Sequence, residues 1–251
     1  MSKAGVSVGE IGGFARFSRE AVLSDLSAFA PRLRPQPVHQ RGLYVTVEPY
    51  EEGSHGAALW EALGGSAEAV NGLLRFFPQP DFSGPADFYA WLDQQNASGN
   101  WVTRVFRTAG DGTVVGMASY MRIDENNGSI EVGAVAHGPA MQRSPIATEV
   151  HYLMARHVFD DLGYRRYEWK CHSENAPSRA SAERLGFSFE GIFRNHMVAK
   201  GKNRDTAWFS MIDCEWPTIR AAFEAWLAPA NFDADGRQVR DLRAIRRASG
   251  Q

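Results

Sequence analysis

Residues 175–187 read NAPSRASAERLGF. Asn175 has the short polar side chain of an N-cap, Pro177 falls in the first turn, where its missing N–H leaves no bond unmade, and Gly186 enters the left-handed region freely. A helix over 175–185 follows, fixed at both ends by its own sequence. Just before it, in LGYRRYEWKCH (162–172), Tyr167, Trp169 and Cys171 share one face and Arg166, Glu168 and Lys170 the other, the period of a half-buried strand. Further upstream, QRSPIATE (142–149) leads into a second helix, whose stripe of Val150, Leu153, Met154, His157 and Val158 runs to about Asp161 and stops at Gly163. The first amides of a helix lack internal partners and the peptide dipoles favour negative charge there, so this turn suits an anion; an ordinary loop entering a helix is the alternative.

Working outward, Leu43, Val45 and Val47 alternate with Tyr44, Thr46 and Glu48, a strand that opens the compact domain. Helices are expected over 54–63 and 67–74, and the prolines of RFFPQPDFSGPADFYAWLDQQ (75–95) force a loop ahead of a third at 85–95. Strands over 101–107, 113–123 and 129–137 are joined by the turn sequences AGDG and DENNG, which makes an antiparallel meander. Two last strands fall at 188–193 and 206–213, and a C-terminal helix at 216–227. The fold class is therefore α+β: a mixed, mostly antiparallel sheet of about seven strands flanked by helices. The organisation expected is an arm over 1–40, including an amphipathic piece at 21–29, a catalytic-size domain over 41–215, and a helix with an arginine-bearing tail over 216–251. In that tail Arg240, Arg243 and Arg247 make a basic stripe beside Val239, Leu242 and Ile245; it can dock on the protein or stay solvated.

The 251 residues are 44% hydrophobic and 22% charged, enough for a chain of this size to bury roughly 70–75% of its unfolded surface. A net charge of −2 gives no general attraction to nucleic acid or anionic lipid, and no run of about 18 apolar residues would span a membrane. Two cysteines, Cys171 and Cys214, are too few for a disulfide framework, so a cytoplasmic setting is expected. Cys171 reads as a small buried residue, and His151 and His157, six apart, do not share a face as metal ligands would.

The three motifs QRSPIATE, LGYRRYEWKC and NAPSRASAERLGF, in this order and on these elements, resemble the GNAT acyl-CoA N-acetyltransferases over about 42–213, and within them the RimJ/RimL-like branch. The resemblance implies acetyl-CoA as cosubstrate, direct transfer to an amine in a ternary complex, and no metal. It implies that coenzyme A pyrophosphate lies on the helix start, held by Gln142, Arg143, Ser144 and the amides of Ile146, Ala147 and Thr148. The family pattern resembles Q/R-x-x-G-x-G/A; Gln142 and Ala147 match, while Pro145 replaces the middle glycine and removes one N–H. By the same resemblance Asn175 contacts the pantetheine arm, Ser178 lies beside the thioester sulfur, and the N–H of Val135 donates to the acetyl oxygen. Many members place a tyrosine four residues before the glycine of LGF; Ala182 stands there, which passes the donor role to Ser178.

Glu131 is the expected base, since alternation along SIEVGAVA (129–136) puts Glu131, Gly133 and Val135 on one face. A solvated or ion-paired carboxylate is its alternative reading. Trp60, Phe76, Phe77 and Phe82 read first as core aromatics; the resemblance, which implies that the early helices line the acceptor groove, makes them its candidate walls. An α-amino group, with a pKa of about 7.7–8.0, is neutral more often at pH 7 than a lysine at about 10.4, so a protein or peptide N-terminus is the leading acceptor. A small-molecule or aminoacyl-nucleotide amine is the alternative, and a non-catalytic CoA-binding module the alternative class. A homodimer is compatible with the resemblance; a nucleic-acid partner finds no support. Because the tail lies outside the resemblance, cutting after Asp235 is expected to leave turnover within a few-fold.

Overall fold

The computed structural model describes residues 25–248. Of the amphipathic piece expected at 21–29, residues 21–24 lie outside them, and 25–29 form a turn and no helix.

One mixed sheet organises the molecule. Its strands are β1 (Gln40–Arg41), β2 (Val45–Pro49), β3 (Trp101–Thr108), β4 (Val114–Asp124), β5 (Ser129–His137), β6 (Arg166–His172), β7 (Ser188–Ala199) and β8 (Lys202–Ile212), in the spatial order β1-β2-β3-β4-β5-β6-β8-β7. All neighbours run antiparallel except β5 and β6. Helices α1 (Gly56–Ala62), α2 (Ala67–Leu73) and α3 (Pro85–Ala97) lie between β2 and β3, α4 (Pro145–Arg156) bridges β5 and β6, and α5 (Ala176–Leu185) bridges β6 and β7. The chain ends in α6 (Trp216–Leu227) and α7 (Leu242–Ala248).

Two apolar cores sandwich the sheet. Leu59, Trp60, Val70 and Phe88 of α1 to α3 pack with Val105 and Met117 on one face. The larger core joins Val150, Leu153, Leu185, Phe223 and Leu242, from α4 to α7, to Val47, Tyr120 and Trp169 on the other. Complementary covers on both faces are why β4 reads as a nearly unbroken apolar run.

Eight strands replace the expected seven because Gln40 and Arg41 pair with Val47 and Thr46, across the boundary drawn between arm and domain. The last hairpin is also longer than its apolar pattern: β7 continues through exposed polar residues to Ala199. Helix α5 has the expected caps, with the Asn175 Oδ1 accepting from the Ser178 N–H at 3.2 Å and Gly186 at φ 108°. A Cβ at Gly186 would also stand 3.0 Å from Ile219 Cγ2, so the helix end and its packing on α6 both ask for glycine.

The tail docks on its own molecule. Leu242 and Ile245 are buried, Arg246 donates to the carbonyls of Glu183 and Arg184 at 3.0 Å each, and Arg243 donates to that of Ala180 at 3.2 Å. The carbonyls of Glu183 and Arg184 are at the end of α5, where cations are favoured.

Candidate active site

The site begins with a fault in the sheet. Met117 faces Ala136 and Ser119 faces Gly133, so two residues of β5, Ala134 and Val135, stand opposite one residue of β4. This β-bulge turns Ala134 to φ 49°. Pairing of β5 with β6 stops at Val132 and Trp169, although β5 continues to His137 and β6 to His172. The two parallel strands part there, and the opening is the floor of a cavity of about 1570 Å³.

The bulge corrects one expectation. Ile130 and Val132 belong to the larger core and Val135 packs against it, while Ala136 joins the smaller one. Val135 therefore lies on the face opposite to Glu131, because the extra residue shifts the alternation by one. Both still line the cavity, which has walls on the two faces of the sheet.

At one end stands the start of α4, with Ser144 as N-cap and Pro145 as first helical residue. The amides without helical partners are those of Ser144, Ile146 and Ala147. Thr148 lies one residue further, where its amide enters the ladder; its hydroxyl accepts from Arg184 Nη1 at 2.9 Å. Arg143 at φ 56° turns the chain into the helix, and Gln142 Nε2 ties the turn to the His137 carbonyl at 3.0 Å. The side chain of Ile146 packs on the larger core, so only its amide is on offer. Arg143, Arg184 and the tail residue Arg237 all line this end of the cavity. Arg184 lies over the Trp226 ring, 5.0 Å from its centroid, and burial pushes its pKa down.

In the middle, Trp169 Nε1 donates to Ser178 Oγ at 3.0 Å. The hydroxyl proton of Ser178 can then donate onward, polarised by the bond it accepts, and the Cys171 thiol is the neighbour it reaches. Cys171, adjacent, is buried, and burial pushes its thiol up, which fits a packing role. His137 and His151 meet through their Nε2 atoms at 3.1 Å; desolvation lowers His137 to about 4 and His151 well below its ordinary value. Glu131 is buried, and its Oε2 is 2.6 Å from Arg122 Nη1 and 3.1 Å from Lys170 Nζ. The ion-paired alternative thus describes its surroundings.

At the far end Phe76 and Phe77 line the cavity, joined by Trp91 and Trp101, which meet edge to face at 5.0 Å. Trp60 and Phe82 do not reach it. Their rings lie 5.7 and 5.4 Å from Phe88 in the smaller core, where burying a large aromatic face outweighs exposing it in a groove. Trp169, Arg184, Arg122 and Arg204 were missed by sequence reading, because each reaches the cavity from a different element and none stands in a recognisable spacing.

A sheet parted between two parallel strands, with a helix start at one end of the gap, is the architecture of the GNAT acyltransferase class. The chain belongs to that family: the description "Acetyltransferase (GNAT) domain" matches residues 24–188. A crystal structure of a GCN5-related N-acetyltransferase from Brucella melitensis is similar with a TM-score of 0.82 and 45% identity, covering 87% of this chain and 98% of that one. Among curated proteins, the uncharacterized N-acetyltransferase p20 of Bacillus licheniformis is 31% identical over 103 residues, 41% of this chain and 57% of the relative. YdaF of Bacillus subtilis (strain 168), provisionally named a ribosomal N-acetyltransferase, is 28% identical over 106 residues, 42% of this chain and 57% of YdaF. The chain thus matches little more than half the length of these two relatives.

Proposed function

We propose that the protein transfers an acetyl group from acetyl-CoA directly to an amine, and that it belongs to the RimJ/RimL-like branch with a protein or peptide N-terminal α-amine as acceptor. The observation that carries this reading is the convergence on one cavity of the α4 start, the parted β5–β6 edge and Ser178. The three arginines at the α4 end suit phosphates, since charged donors bind them more strongly than neutral amides do and offset the N–H lost at Pro145. The unpaired edge of β5 suits the pantetheine arm, with Asn175 beside it. Acetyl-CoA supplies the thioester; Ser178 donates to the sulfur as the thiolate leaves, Val135 N–H meets the acetyl oxygen, and Glu131 takes up the amine proton. The name of YdaF supports a ribosomal protein as one such acceptor.

The test is acetyl transfer to a panel of peptide α-amines, lysine side chains and small amines, followed by mass spectrometry. Transfer to α-amines ahead of lysines is the expected result. CoA binding without transfer to any amine would instead favour a non-catalytic CoA-binding module.

A further inference from the structure

The acceptor end of the cavity is unevenly charged. Arg75, Arg122, Lys170 and Arg204 all line it, and Glu131 is the only carboxylate on the cavity wall among the described residues. Glu131 is already engaged by Arg122 and Lys170, and Lys170 is further held by Glu168 at 2.6 Å and by the Trp208 ring 3.7 Å from Nζ. Arg204 and Arg75 have no ion pair among the described residues. Arg204 donates through Nη1 to the Phe76 carbonyl at 3.3 Å, and its buried Nε meets no acceptor. Burial pushes its pKa down further than the charge of Glu131, itself shared with Arg122 and Lys170, can raise it. Arg75 donates to the Gly72 carbonyl at 3.2 Å and lies over the Phe76 ring.

The phosphates of CoA are accounted for at the other end, and an acetyl-pantetheine arm is neutral, so neither satisfies this excess. Resting on the acetyl-transfer reading, we infer that the acceptor is an amine carrying a carboxylate a few bonds from its nitrogen, recognised by Arg204 with Arg75 beside it. The same cations raise the cost of an ammonium ion in the cavity, which keeps the acceptor nitrogen in its neutral, nucleophilic form. Basic acceptors such as polyamines or lysine-rich N-termini are selected against by like-charge repulsion.

The experiment uses the full chain, acetyl-CoA and matched acceptors: short peptides beginning with Asp or Glu against those beginning with Asn or Gln, and free glutamate against glutamine amide. The carboxylate member of a pair is expected to have a kcat/KM roughly 10- to 100-fold higher, expressed mostly in KM, the size expected of a charge-assisted hydrogen bond. The peptide and free amino acid arms show which source brings the carboxylate. Arg204→Gln should collapse the ratio within each pair and Arg204→Lys should restore part of it; if Arg204→Gln melts early, Arg75→Gln provides the same comparison. Turnover without preference for the carboxylate member, or with preference for basic acceptors, overturns this inference alone. CoA binding with no transfer to any amine overturns the acetyl-transfer reading and this inference with it.

Discussion

Ser178 is the residue on which the proposed chemistry turns. Its hydroxyl accepts from Trp169 and is asked to act on charge that exists only as the thiolate leaves. Ser178→Ala should therefore lower kcat by about 10²-fold or more with little change in CoA affinity, measured by steady-state kinetics and titration, while Asn175 keeps the helix capped. An unchanged kcat would leave Ser178 a helix-start residue. Asn175 was legible as a cap because a capped helix writes both its ends locally, whereas Ser178 was singled out by the family resemblance. Neither revealed Trp169 as the partner, since alternation only marks that ring as facing inward. The histidine pair yields a second prediction. His137, held at about 4, is protonated in the unfolded chain before the folded one as pH falls, so stability is lost between about pH 6.5 and 4, by up to ~1.4 kcal/mol per pH unit. His151 acts in the same direction. Denaturant unfolding at pH 7 and pH 5 should show that loss, and the double variant His137→Gln, His151→Gln should flatten it.

Helix α4 is the element that has to stay in place, because its first turn is the proposed anion site. Its anchor is Glu149, buried one turn into the helix, whose carboxylate accepts from the amides of Leu43 and Tyr44 at 2.7 Å each and of Val45 at 3.0 Å. Replacing it by alanine leaves three amides without their acceptor, and a loss of about 1–3 kcal/mol for the exposed partners is expected in urea unfolding. Loss of less than a few tenths would mean that packing alone holds α4 to β2. Most elements were legible because their period is local: the stripe of α4, the alternation of β6 and the turns between β3, β4 and β5. The bulge at Ala134 was not, since it is a fault in pairing with β4 and leaves no trace in SIEVGAVA. The extension of β7 and β8 was equally hidden, being built from polar residues of an exposed hairpin rather than an apolar alternation.

Over the whole molecule, the tail is joined to the site rather than appended to it. Arg237 and Gln238 line the cavity, Trp226 Nε1 donates to Gln238 Oε1 at 2.9 Å, and α7 cations close the end of α5. Cutting after Asp235 is now expected to weaken CoA binding at least ten-fold and to lower stability by several kcal/mol, since Leu242 and Ile245 each bury a side chain worth about 1.5–3 kcal/mol. This replaces the dispensable tail suggested by the motifs, which end before it. Arg237→Ala in the intact chain should weaken CoA several-fold without moving the melting temperature, separating contact from folding. The central claim, that α4 and the parted strands hold acetyl-CoA, is tested most directly by melting the full chain with and without it. Ligand at about 100 times its Kd should add about 2.7 kcal/mol to the folded state and raise the melting temperature by several degrees, an increase that Arg143→Glu reduces. A melting temperature unmoved by millimolar acetyl-CoA would contradict the cofactor, the site and the activity together.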